Sequence, residues 1–193
     1  QIIAYDFLTY NQGYAILNDE QGVGKSLEAI MYTNNKEGKT LILCPKNLVF
    51  NWECELKKHL GTRSDKFEIH SYDHLNSDRE DILKSGEFKH LIIDEAHKLS
   101  NVSSKRYLAV NRISKNKDSL ILLTGKDIES APRDFYGMIK LLDKGYTQKT
   151  FISTFFHTTF EKNRLVIGEC RIDKLKAYIS SYTLRRYLKD VHH

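Results

Sequence analysis

The sequence predicts an α/β fold, a parallel sheet covered by helices on both faces. Two observations carry this. Five short apolar runs recur as far as residue 124, and helical patterns fill the spaces between them. The runs are short and largely apolar, so each reads as a strand buried on both sides, the condition that two covering layers of helix create.

The elements follow in order. "YAIL" (14–17) is the first strand, and a glycine-containing loop and a helical stretch come after it. "TLILC" (40–44) is the second. It is followed by "LVFNWECELKKHL" (48–60), in which Leu48, Trp52, Leu56 and Leu60 share one helical stripe. That stripe places Trp52 in the core rather than on a base-stacking platform. "FEIHS" (67–71), "HLIID" (90–94) and "SLILLT" (119–124) are the remaining strands. Beyond residue 143 strand signals fade, and segments 147–160 and 172–188 look helical. The expected layout is one domain, with a sheet core over 1–143 and a mostly helical extension over 144–193. In such sheets ligands bind beyond the carboxyl ends of the strands, so the residues after each strand carry the functional information.

The bulk properties limit the classes. With 193 residues, 40% hydrophobic and 28% charged, the chain can bury a core and is not of a disordered type. No apolar run approaches the roughly 20 residues that cross a bilayer, so no membrane partner is expected. A net charge of +5 permits a polyanionic partner such as nucleic acid. Cys44, Cys54 and Cys170 are odd in number and form no C-x-x-C pair, which suits a reducing compartment, cytoplasmic or nuclear and nucleoid-associated. The chain opens at Gln1 without an initiator Met and reads as a fragment. His192 and His193 are either native or the remnant of a purification tag.

Two post-strand segments carry chemistry. "NDEQGVGKS" (18–26) lies between a strand and a helix, the context a phosphate-binding loop requires. The loop amides, Val23's among them, and the helix N-terminus would hold phosphate oxygens, with Gly22 and Gly24 allowing close approach. Lys25 would reach the β- and γ-phosphates of ATP, and the Ser26 hydroxyl would ligate Mg²⁺. The usual loop has glycine where this chain has Asp19. "DEAH" (94–97) follows an apolar strand. Asp94 would hold Mg²⁺ through water, and Glu95 would orient and deprotonate the attacking water.

These residues resemble the first RecA-like lobe of the Swi/Snf-type ATPases of helicase superfamily 2. That family writes its loop D-E-x-G-x-G-K-[ST], so Asp19 fits its pattern and joins the expected ATP-binding residues. "LILCPKNLVFNWECELKKH", "IHSYDHL", "LIIDEAHKLSN", "LILLTGKDIES" and "LRRYLKDV" resemble further motifs in the family's order, over nearly the whole chain. Gln1 stands where the family has its adenine-reading glutamine. The resemblance implies a DNA-dependent ATPase that translocates on double-stranded DNA. It assigns backbone contacts to Lys46, Ser71 and Tyr72, and coupling between ATP and DNA to Thr124 and Gly125. It also implies a second RecA-like lobe, absent from these residues, which supplies the transition-state arginine. Arg185 and Arg186 sit in a segment that in the family leads out of the lobe instead of into the phosphate site. The departures are Gln21 and Ser26 in the loop, and Lys126-Asp127 where the family's coupling motif usually ends in Thr-Pro. Two other readings stay open. One is an RNA helicase or restriction-type translocase lobe; the other is a non-catalytic binding module on a degenerate ATPase fold.

Overall fold

The computed structural model describes residues 2–75, 81, 83–84, 87–143, 145–161 and 164–190. Gln1, His192 and His193 lie outside the described residues.

The five expected strands form, as β1 (Tyr14–Leu17), β2 (Lys39–Cys44), β3 (Phe67–Ser71), β4 (Phe88–Ile93) and β5 (Ser119–Leu123). They lie in the spatial order β3-β2-β4-β5-β1, and every pairing is parallel. Neighbouring side chains along β1, β2, β4 and β5 enter opposite cores, as the pleat requires. Strand β3, at the sheet edge, is not buried on both faces as expected, since Phe67 and Ile69 enter one core while Glu68 and His70 stay half-buried. Ile16, Leu41, Leu43, Leu91, Ile93, Leu120 and Leu122 face one layer. Ala15, Leu17, Ile42, Cys44, Ile92, Ile121 and Leu123 face the other. Helices α1 (Ile2–Tyr10), α2 (Lys25–Asn34) and α3 (Val49–Leu60) cover the second face through Leu8, Ile30, Trp52 and Leu56. Helices α4 (Lys105–Ile113), α5 (Phe135–Leu142) and α6 (Gln148–Phe155) cover the first through Val110, Phe135 and Phe151. Each fully buried Leu, Ile or Phe contributes about 1.5–3 kcal/mol, so the apolar runs of β1, β2, β4 and β5 have a direct energetic cause.

The region after 143 departs from the expected helical extension. Helix α6 begins with a reciprocal cap between Thr147 and Thr150, then gives way at Phe156 to an antiparallel ribbon. Its strands are β6 (Phe156–Glu161) and β7 (Arg164–Cys170). Thr158 and Thr159 face Ile167 and Val166, and Phe160 faces Leu165. Such β-branched and aromatic pairs favour a pleated surface over a helix. Helix α7 (Ile172–Ile179) forms within 172–188 but stops early. Thr183 and Leu184 become β8, a parallel sixth strand beside β1. Docking on the sheet edge, not local propensity, makes this strand. The backbone N–H groups of Ile16 and Asn18 donate to Tyr182 O and Leu184 O, both at 2.8 Å.

Candidate nucleotide and nucleic-acid site

The loop after β1 meets the first turn of α2 at the carboxyl edge of the sheet. Gly22 (φ 88°) and Gly24 (φ 106°) occupy the left-handed region, which glycine alone enters without strain. Gly24 is the N-cap of α2, and the first intrahelical bond runs from Glu28 N to Gly24 O. The earlier amides of that turn have no intrahelical partner and suit an oxyanion. The side chain of Val23 is buried, and its amide closes a loose turn on Glu20 O at 3.4 Å. Ser26 is half-buried in the first helical turn. The Lys25 ammonium turns back over the loop and donates to Asp19 O at 2.7 Å and Glu20 O at 3.1 Å. Burial lowers its pKa, while the carboxylates of Asp19, Asp94, Glu95 and Glu28 act in the opposite sense. Lys25 therefore feels the acids at the end of β4 although β5 lies between the two strands. A phosphate would offer this ammonium charge-assisted bonds in place of two neutral carbonyls.

Asp94 is held from three sides. Its Oδ1 accepts from Glu95 N at 2.8 Å, and its Oδ2 accepts from Trp52 Nε1 at 2.8 Å. The Tyr72 hydroxyl donates to its backbone oxygen at 2.5 Å. Each carboxylate oxygen keeps a further lone pair, so the group suits Mg²⁺ held through water. Mg²⁺ takes few protein ligands and shares the rest of its shell with water and phosphates, so Ser26 and Asp94 are a fitting donor pair. Trp52 is a core residue as the helical stripe predicts, 2% exposed, and its indole N–H also orients the acid, which the stripe could not reveal.

Glu95 has a left-handed backbone (φ 50°, ψ 46°). For a non-glycine residue this is a cost that the surroundings must offset. His97 Nδ1 stands 3.2 Å from Glu95 Oε2 and 3.2 Å from Thr124 Oγ1. His97 Nδ1 thus lies between the two oxygens and links the acid pair to Thr124, the residue after β5. A Cβ added at Gly125 would meet Gln21 Cγ at 3.4 Å, so the residues after β5 pack closely against the phosphate-type loop. The altered Lys126-Asp127 end is well formed. Asp127 Oδ1 accepts from Glu129 N at 3.1 Å, and Lys126 N donates to Thr124 Oγ1 at 3.1 Å.

Asp19 does not face the loop's concave side. Its carboxylate is fully buried and accepts from Arg186, from the backbone N at 2.6 Å and from Nε at 3.2 Å. The sequence pattern puts Asp19 among the ATP-binding residues; in the structure Arg186 occupies its carboxylate instead. Arg186 NH2 also reaches both oxygens of Glu28 on α2, at 2.8 and 2.7 Å. Despite burial, which acts the other way, these two acids hold the guanidinium pKa above its usual value. Glu28 is itself raised, burial outweighing the arginine. Arg185, on the other side, lies 3.8 Å from Asp127 Oδ1 and within 3.5 Å of Asn18 O and Lys126 O.

The expected nucleic-acid contacts divide. Lys46 is exposed and lines a cleft of about 510 Å³ with Pro45, Asn47, Asp73, Lys98 and Arg106. Tyr72 also lines this cleft, but the hydroxyls of both Ser71 and Tyr72 are bonded within the protein. Ser71 is 5% exposed and its Oγ accepts from Asp73 N at 3.2 Å. Tyr72 is 4% exposed and donates to Asp94, and burial raises its pKa well above 10. Both stand at the end of the edge strand β3, where a short turn bonds their hydroxyls inward. Lys98 and Arg106 are cations of this cleft that sequence reasoning misses. Arg106 stacks over the Tyr72 ring at 5.5 Å and pairs with Asp73 at 3.1 Å. Only the fold brings these two residues beside Lys46.

The model of the SNF2-related domain family matches residues 7–68 and 62–193. Mouse DNA repair and recombination protein RAD54B is 29% identical over 89% of this chain and 24% of its own length. The Arabidopsis thaliana protein CHROMATIN REMODELING 19 is 25% identical over 99% of this chain and 30% of its own. The chain thus spans less than a third of these relatives. The Sulfolobus solfataricus SWI2/SNF2 ATPase core in complex with dsDNA is similar at a TM-score of 0.76 and 26% identity. That likeness covers 96% of this chain and 43% of the other. The RecA-like architecture and the order of the post-strand segments have the same explanation as these matches: the chain belongs to the SNF2-related domain family.

Proposed function

We propose that this chain is the ATP-binding lobe of a DNA-dependent ATPase that moves along double-stranded DNA. The observation that carries the proposal is the loop after β1, where Gly22 and Gly24 take positive φ, the first amides of α2 have no intrahelical partner and the Lys25 ammonium folds back over the loop. Lys25 binds the β- and γ-phosphates, and the first amides of α2 bind phosphate oxygens. Ser26 and Asp94 hold Mg²⁺, which neutralises charge on those oxygens when bound. Glu95 orients a water and takes its proton, and His97 fixes the Glu95 carboxylate relative to Thr124 and Gly125. Gln1 remains the proposed adenine contact. A second RecA-like lobe, outside these residues, supplies the transition-state arginine. Arg186 is committed to Asp19 and Glu28 and is not that group.

For nucleic acid, Lys46, Lys98 and Arg106 contact the backbone of one duplex strand, which positions DNA without reading its sequence. The Sulfolobus relative in complex with dsDNA supports duplex DNA as the partner over RNA. The protein then acts inside the cell, where its DNA is; a yeast relative is a nuclear protein by name. Among the described residues no helix is long and apolar enough to cross a membrane.

Glu95→Gln in the full-length protein tests this reading. ATP binding should persist while duplex-stimulated hydrolysis falls by roughly 10²–10⁴. Equal loss of binding and turnover would contradict the role of Glu95. Stronger stimulation by RNA than by duplex DNA would contradict the partner.

A further inference from the structure

The segment leaving the lobe is joined to the phosphate-type loop along its length. Beyond β8, Glu20 N donates to Arg186 O at 3.0 Å, and Leu188 N donates to Glu20 Oε2 at 2.9 Å. The Leu188 side chain covers Gly22, where an added Cβ would stand 3.5 Å from Leu188 Cδ2. Arg186 closes the arrangement: its backbone and guanidinium hold Asp19 at the start of the loop, and the same guanidinium holds Glu28 one turn into α2. The two acids bracket the loop, and Arg186 stands between their like charges in a buried place. Only the planar fork of an arginine meets both at once.

We propose that Arg186 is a positioning residue for the phosphate-binding loop, and that ATP affinity depends on docking of the exit segment through it. The inference rests on the reading that this loop binds ATP. The loop keeps its phosphate-ready curve while Arg186 ties Asp19 to Glu28. Anything that pulls residues 184–188 away, as movement of a following lobe would, loosens the loop and weakens ATP. By linkage, bound ATP holds the exit segment down to the same degree.

The test titrates ATP with Mg²⁺ into the wild-type chain and into Lys25→Ala, Arg186→Lys and Asp19→Asn, at a temperature where unfolding curves show each fully folded. Arg186→Lys keeps the charge but not the fork, and Asp19→Asn keeps the shape but not the charge. Both avoid the close carboxylate pair that Arg186→Ala would leave. Each should weaken ATP by about tenfold or more, the scale of one charge-assisted bond. In the wild type, ATP should slow hydrogen exchange at the amides of Glu20, Arg186 and Leu188, and Arg186→Lys should remove that protection. A purely structural arginine would lower the melting temperature and leave affinity and protection unchanged. That result, with Lys25→Ala still weakening ATP, overturns the inference and spares the proposed function. A wild-type chain that binds no ATP overturns both.

Discussion

Replacing Trp52 by Phe tests whether the core of the lobe orients its metal-holding acid. The substitution keeps an aromatic ring on the buried stripe of α3 and removes one donor, the indole N–H 2.8 Å from Asp94 Oδ2. A hydrogen bond to a charged group contributes about 1.5–3 kcal/mol. The smaller ring gives up roughly another 1 kcal/mol of apolar burial. The expected loss of folding stability is therefore about 2.5–4 kcal/mol, read by denaturant unfolding. The functional effect is separate. The Asp94 carboxylate would keep its bond from Glu95 N but lose the one from the indole, and removal of an outer partner typically weakens a metal site by roughly 10–100-fold. The Mg²⁺ concentration for half-maximal ATP binding should rise by about tenfold. Leu56→Ala is the control, because it opens the same buried stripe (4% exposed) without touching Asp94. It should cost about 2–5 kcal/mol and leave the Mg²⁺ dependence alone. If Trp52→Phe behaves like Leu56→Ala, Trp52 only packs, and the orienting role is refuted.

Three further outcomes are expected. Burial holds the Lys25 pKa below that of free lysine, and bound phosphates would raise it. ATP affinity should then be flat below the free-protein pKa of Lys25 and fall as pH climbs from that value to the pKa in the complex; Lys25→Ala should remove the dependence, as calorimetry across alkaline pH would show. Lys46→Ala and Arg106→Ala should each flatten the plot of log duplex affinity against log salt by about 0.9 for every phosphate that the variant no longer neutralises, with little change between DNA sequences; unchanged slopes would move the DNA path off this cleft. These 193 residues alone should hydrolyse ATP barely measurably, since a transition-state arginine contributes roughly 10³–10⁵ in rate, and adding the second lobe should restore duplex-stimulated turnover in a steady-state assay.

The sheet was legible because burial on both faces leaves an unmistakable composition: β5 is Ser-Leu-Ile-Leu-Leu, every residue buried. The ribbon at 156–170 was not. Its residues are mostly exposed, so neither a helical nor a two-residue period is enforced by a core. The strand β8 was invisible for a different reason, since two residues cannot announce a strand and the edge of β1 induces it. At the site, Lys25, Asp94 and Glu95 could be proposed from local context. Their supports could not. Trp52 and Asp94 are 42 residues apart, and Arg186 and Asp19 are 167. The inward bonds of the Ser71 and Tyr72 hydroxyls were equally illegible, because a post-strand hydroxyl reads the same whether its turn opens outward or folds under.

The acid at position 19 follows from the same geometry. Glycine is required in a phosphate loop where the backbone takes a positive φ or where a side chain would collide with the ligand. Among the described residues Gly22 and Gly24 meet the first condition and Asp19 does not. Its carboxylate is taken by Arg186, and the ammonium of Lys25 bonds to the Asp19 backbone oxygen. The position is thus free to carry a side chain on the inner side of the loop. What stands there is the exit segment, with a backbone N–H and a guanidinium to satisfy. A carboxylate meets both; glycine would leave Arg186 with Glu28 alone and the Arg186 amide without its acceptor. On the proposed reading, Asp19 lets the loop be held by the segment beyond β8 through Arg186, which a loop with glycine at this position could not be through its side chain.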